Sequence, residues 1–162
     1  MINIIKADLN NALHAEALIL LLNCYAKDPM GGGEALSDFT KTNLVAEIQK
    51  RSDVTVILAF EGDKPVGIIN CIEGFSTFAS KPLMNIHDVY VAPDYRGTGV
   101  ATQLLQAAED LAIEKKCCKV TLEVLEGNEP AKSTYLKFGF AAYELDPKMG
   151  KAMFWEKKLS GA

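Results

Sequence analysis

Two groups of residues in this 162-residue chain combine types and spacings suited to chemistry. The first is Arg96-Gly97-Thr98-Gly99-Val100-Ala101, entered from Val89-Tyr90-Val91-Ala92-Pro93-Asp94-Tyr95. Strand-forming residues give way to a glycine turn, and an apolar 3.6-residue period starts directly after it. Such a strand, turn and helix leaves the first N–H groups of the helix unpaired at its positive end, where a pyrophosphate binds well. The second group is Asn128-Glu129-Pro130-Ala131, followed by Tyr135 and Gly139-Phe140. It predicts a short helix that carries a tyrosine and stops at glycine. A phenol of ordinary acidity keeps its proton at neutral pH and can give it to a departing thiolate. Together the two groups point to chemistry on a phosphate-bearing thioester.

The elements that must position these groups can be read along the chain. Met1 to Lys6 reads as a first strand. Asp8 is expected to cap a helix reaching about Tyr25, with Leu9, Leu13, Ala17, Leu20 and Leu21 facing the core. Asp28-Pro29-Met30-Gly31-Gly32-Gly33 must break that helix, since proline and glycine are costly in helix interiors. Ser37 or Asp38 caps a second helix to about Arg51, with Leu44 and Ile48 inward. Val54 to Glu61 and Val66 to about Phe75 form a hairpin around Gly62-Asp63-Lys64-Pro65. Leu83 to Val91 is the next strand, Thr98 to Lys116 a long amphipathic helix, and Lys119 to Leu125 another strand. A helix at Ala131 to Phe138 and strands at Ala141 to Leu145 and Ala152 to Lys157 complete the reading. A helix joining strands 83–91 and 119–125 implies a parallel pair with a right-handed crossover. The hairpins imply antiparallel neighbours, so the fold class is α/β, a mixed, mostly antiparallel sheet with helices on both faces. No repeat or linker divides residues 1–162, which are read as one domain.

Three phosphate-binding patterns compete at Arg96 to Ala101. A nucleotide-triphosphatase loop needs Gly-Lys-Ser/Thr after its last glycine, and Val100-Ala101 stands there instead. A dinucleotide fingerprint needs a third glycine three residues after Gly99, where Thr102 is found, although Glu123 lies near the place of its acidic partner. The pattern as it stands, Arg-x-x-Gly-x-Ala after Val-Ala-Pro-Asp-Tyr, resembles the acetyl-coenzyme A loop of the GNAT superfamily of N-acetyltransferases. Asn128-x-x-Ala131-x-x-x-Tyr135-x-x-x-Gly139-Phe140 resembles the second motif of that family, at the same separation and with a strand between. The resemblance is clear over residues 83–140, and the element order extends it to most of the chain.

The resemblance implies a GNAT-like sheet whose central parallel strands splay apart where the thioester enters. It implies that the amides of Gly97, Thr98, Gly99, Val100, Ala101 and Thr102 hold the pyrophosphate of acetyl-CoA, with Arg96 in the same loop and the Thr98 hydroxyl a further donor. The backbone of Val89, Tyr90 and Val91 would pair with the pantetheine arm, and Asn128 and Ala131 would line the cleft. Tyr135 would be the general acid. The general base stays open: His87 stands on the strand where members resembling polyamine acetyltransferases carry a glutamate, and histidine as a side chain titrates near neutrality. Asp88 faces the opposite way on a regular strand and reads as structural, unless a bulge alters the facing. Glu73 and Glu123 are fallback bases, and a water chain is another route.

The implied activity is acetyl transfer from acetyl-CoA to a primary amine of a small molecule (a polyamine, amino acid or related metabolite) by direct attack in a ternary complex. No cysteine stands where an acyl carrier would, and no metal is expected. A peptide or protein N-acetyltransferase and a non-enzymatic acyl-CoA sensor are the alternatives. Asp28, Glu34 or Asp38 would attract a cationic amine, while Phe75 and Phe78 would form the opposite wall. His14 is expected at the surface and Trp155 in the core.

Composition sets the outer bounds. The formal charge is −4, with 49% hydrophobic and 23% charged residues, which is unlike a nucleic-acid-binding surface. The apolar run Ala15 to Leu22 is far shorter than the roughly 20 residues a bilayer span needs. No secretory signal pattern is found in residues 1–20. Cys24, Cys71, Cys117 and Cys118 lack metal-ligand spacing and read as buried free thiols, which suits a cytoplasmic protein. A homodimer is compatible with the family and is not tested by the sequence.

Overall fold

The computed structural model describes residues 1–161. Five strands, β1 (Ile2–Lys6), β2 (Val54–Glu61), β3 (Lys64–Ser76), β4 (Lys81–Val91) and β5 (Val120–Leu122), form one sheet in the order β1-β2-β3-β4-β5. All neighbours are antiparallel except β4 and β5, which are parallel and joined by the crossover helix α3 (Val100–Glu114). Helices α1 (Ala12–Lys27) and α2 (Asp38–Gln49) cover one face, and α3 covers the other, flanked by α4 (Glu129–Phe138). This is the α/β arrangement expected from the hairpin and crossover signals.

Each helix buries a face that its sequence period prepares. In α3 the residues Val100, Leu104, Leu105, Ala108, Leu111 and Ala112 are buried against Ile57, Ile69, Met84 and Ile86 of the sheet. Gly67 lets α3 approach β3 closely, since a Cβ there would stand 3.0 Å from Leu104 Cδ1 and 3.2 Å from Val100 Cγ1. On the other face α1 buries Ala17, Leu18 and Leu21 against Val56, Leu58, Phe60, Ile68 and Tyr90. The stripe is therefore rotated from the expected one, and Leu13 and Leu20 are exposed. The rotation follows from the start of the helix. Asn11, not Asp8, is the cap, its side chain accepting from the Leu13 amide at 2.9 Å. Asp8 instead ends β1's exit turn, where its amide donates to His14 Nδ1 at 3.1 Å, so His14 is part-buried rather than at the surface.

The C-terminal strands expected at 141–145 and 152–157 are not formed. Glu144 and Lys151 make an isolated antiparallel bridge, and no sheet pairing extends from it. Alternating apolar residues make a segment fit for a strand, but pairing makes the strand, and β5 offers only three residues. Trp155, expected in the core, is 79% exposed. Phe75 and Phe78 lie exposed at the β3–β4 turn and wall no cleft. The four cysteines are free, with Cys71 buried but Cys118 exposed. No helix among the described residues is long and apolar enough to cross a membrane.

Candidate active site

The site begins where β4 and β5 part. They pair only at Met84↔Val120, Asn85↔Thr121 and Ile86↔Leu122. From His87 to Val91 that edge of β4 has no strand beside it, while β3 continues on its other edge as far as Gly67↔Val91. The change coincides with a bulge. Cys71 pairs with Ile86 and Asn70 with Asp88, so His87 is an extra residue in β4.

The bulge also turns the strand over. Ile86 lies on the α3 face, and a regular strand would put Asp88 there as well. Instead Asp88 shares the α1 face with Tyr90, opposite Asn70, whose Nδ2 donates to Asp88 Oδ2 at 2.9 Å. His87 is solvent-exposed at the same point. Asn70 Oδ1 is buried and has no hydrogen-bond partner among the described residues.

Two tyrosines approach the gap from opposite faces of the sheet. Tyr25, in the last turn of α1, is half-buried and packs 6.1 Å from the Tyr90 ring. Its hydroxyl is held above the ordinary tyrosine range, first by burial and then by the negative charges of Asp88 and Asp28. Tyr135 projects from α4 and packs against the α3-side core, its ring edge-on to Phe140 at 5.9 Å. Burial, with a smaller contribution from Tyr25, pushes its hydroxyl up to about 12. Tyr135 is therefore protonated throughout the neutral range. Asn128 caps α4, accepting from the Ala131 amide at 3.3 Å, and Gly139 ends the helix in the left-handed conformation.

The glycine turn lies at the open end of β4. Gly97 and Gly99 take φ of 73° and 90°, which L-residues with a Cβ avoid, and a Cβ at either would meet nothing within 4 Å. Gly99 caps α3 and its carbonyl accepts from Gln103, so the Val100, Ala101 and Thr102 amides precede the first intrahelical bond. This is an open cradle of N–H groups at a helix N-terminus, and it fits a pyrophosphate. Two expected details differ. The Thr98 hydroxyl donates to the Tyr95 carbonyl at 2.6 Å, so its hydrogen is used within the loop. Arg96 donates from Nε to the Val91 carbonyl at 3.0 Å, removing that acceptor from the free edge of β4.

Arg96 also binds Asp28 at 3.0 Å and lies over the Tyr90 ring, 5.6 Å from its centre. Asp28 accepts from the Met30 amide as well, and these bonds hold its carboxyl below the usual range. It is thus a paired structural acid that ties the loop after α1 to the glycine turn, not a free acid awaiting an amine. Glu34 and Asp38 are exposed. Of the fallback bases, Glu73 is paired with Lys115 at 2.9 Å, and Glu123 is exposed beyond β5. Sequence reasoning missed Tyr25 because nothing in a helical turn marks a tyrosine as cleft-facing. It missed the facing of Asp88 because a bulge is a property of two strands.

The comparisons with known proteins agree with this geometry. The sequence profile described as the Acetyltransferase (GNAT) family matches residues 20–140. The chain is 31% identical over 65 residues to thialysine N-epsilon-acetyltransferase of Bos taurus, which is 40% of this chain and 38% of that one. It is 40% identical over 63 residues to streptothricin acetyltransferase of Streptomyces lavendulae, 39% of this chain and 33% of the relative. These matches span between a third and two-fifths of the relatives' length. Among solved structures, the enzyme AAC(6')-Iy in complex with the bisubstrate analogue CoA-S-monomethyl-acetylneamine superposes with a TM-score of 0.78 at 18% identity, covering 98% of this chain and 99% of that one. A probable acetyltransferase superposes with a TM-score of 0.79 at 23% identity, covering 97% and 99%. An α/β sheet splayed at its parallel pair, with a glycine cradle at the head of the crossover helix, defines an acyltransferase scaffold. The chain belongs to the GNAT acetyltransferase family.

Proposed function

We propose that this protein transfers the acetyl group of acetyl-CoA to a primary amine of a small cationic molecule by direct attack within a ternary complex. The observation that carries the reading is the gap between β4 and β5, with Tyr135 on one wall and Asp88 and Tyr25 on the other. The Gly97–Thr102 amides would hold the pyrophosphate, and the unpaired edge of β4 at Val89, Tyr90 and Val91 would take the pantetheine amides as a partial extra strand. Asn128 and Ala131 set the start of α4 and so the position of Tyr135.

Four side chains divide the work. Asp88, fixed by Asn70, draws the ammonium to the gap, and the unpartnered Asn70 Oδ1 gives its N–H a second acceptor nearby. His87, at the bulge and open to solvent, takes the proton the amine must lose before it attacks. Tyr135 gives a proton to the departing sulfur and is regenerated from solvent. Tyr25 stays neutral and bridges the two walls by its hydroxyl. The small-molecule acceptor is supported by relatives named for thialysine and streptothricin.

The test is release of coenzyme A thiol from acetyl-CoA against a panel holding spermidine, lysine, thialysine, an aminoglycoside and a short peptide. Turnover with one or more small diamines, and little with the peptide, is the expected result. Turnover with the peptide alone would replace the small-molecule acceptor. Tight acetyl-CoA binding without turnover anywhere would replace the enzyme with a sensor.

A further inference from the structure

The sheet ends at β5, whose outer edge has no strand beside it among the described residues. Next to that edge lies a groove of about 430 Å³. One side is β5 and its continuation, including Val120, Leu122 and Val124, and the other is the segment from Phe140 to Glu144. Tyr135 and Leu136 of α4 lie along it. Segment 141–143 is extended but belongs to no sheet, so both sides of the groove present backbone without a ladder partner. Ala152 donates to the Tyr143 carbonyl at 3.1 Å, and past that point the chain leaves. Met153, Phe154, Trp155 and Leu159 are then between 72% and 79% exposed.

We propose that the groove of one copy receives the strand Ala152–Lys158 of a second copy, and that the exchange is reciprocal, giving a twofold dimer. Each chain carries one vacant strand site and one unpaired, strand-forming, apolar segment, and its own segment turns away from its own site. Two copies related by a twofold axis satisfy both needs at once. The residue types fit the demand, since Met153, Phe154 and Trp155 are a run that no solvent-facing tail requires. The area also suffices. A buried aromatic removes roughly 150–250 Å² from water, so the two aromatics of each tail, doubled and matched by the groove surfaces they cover, exceed the roughly 1,200 Å² of a stable interface. The inserted strand would lie beside Tyr135, so the partner copy would close the cleft on the side of the general acid.

The single tryptophan makes the proposal readable without any activity measurement. Full-length protein is examined by light scattering after size exclusion and by Trp155 emission. The expected result is a dimer with blue-shifted emission. The Met153→Glu/Phe154→Glu variant, which keeps Trp155, is expected to be a monomer with emission near that of free tryptophan. A monomeric wild type overturns the exchange, whether Trp155 is exposed or is buried by the chain's own tail. A variant that still dimerises also overturns it, because the interface would then lie elsewhere.

Discussion

At the scale of single residues, the site depends on which way β4 points after Ile86. One extra residue, His87, brings Asp88 to the α1 face and within the field of Tyr25. Replacing Asp88 with Asn keeps the shape and the bond to Asn70 but removes the charge. A charge-assisted contact contributes about 1.5–3 kcal/mol, so KM for a cationic amine should rise roughly 10- to 100-fold while acetyl-CoA affinity holds. An unchanged KM would remove Asp88 from amine recognition. His87→Gln should instead lower kcat, by up to about 100-fold if it is the base, and leave KM near its original value. Full activity in that variant would pass the proton to water. Neither outcome could be drawn from sequence beyond naming both residues, since alternation along β4 alone predicts the wrong face for Asp88.

At the scale of elements, the glycine turn and the two helices around it were legible because their signals are local. Gly97 and Gly99 need left-handed φ, and the apolar period that begins at Val100 is that of α3. The start of α1 was less so, because Asp8 and Asn11 are both good caps and packing against the sheet chooses between them. The strands at 141–145 and 152–157 failed for a further reason: their pattern is real, but a ladder partner is absent within the chain. The seat of α3 on β3 gives a direct test of how the cradle is positioned. Gly67→Ala must push Leu104 and Val100 away from the sheet and should cost about 1–3 kcal/mol, read by urea unfolding. It should also weaken acetyl-CoA binding, since Val100 begins the cradle. Unaltered stability would mean that the helix can shift freely, and that its close seat does not fix the cradle.

At the scale of the whole molecule, buried ionisable groups set how the fold responds to alkali. Burial pushes Cys71 up to about 12, and Tyr135 likewise rises to about 12. Their unfolded values are near 9 and 10, so above those the unfolded chain releases protons that the folded chain keeps. The stabilisation is present in full below pH 9 and is lost as pH rises towards 12. The slope should be about 1.4 kcal/mol per pH unit where Cys71 acts alone and about twice that once Tyr135 joins. Urea unfolding at pH 8, 9 and 10 measures the first part. Cys71→Ala should flatten it, and a wild-type curve that is already flat would show that Cys71 is not sealed from solvent.

The central claim is that Tyr135, kept protonated by its burial across the gap from Asp88, delivers the proton that the departing thiolate needs. The measurement that tests it most directly is the comparison of kcat and acetyl-CoA Kd between the wild type and Tyr135→Phe with the best amine of the panel. The account predicts a fall in kcat of about 100- to 10,000-fold with Kd changed by no more than a few-fold. Full turnover by the Phe variant, with acetyl-CoA bound normally, would contradict it.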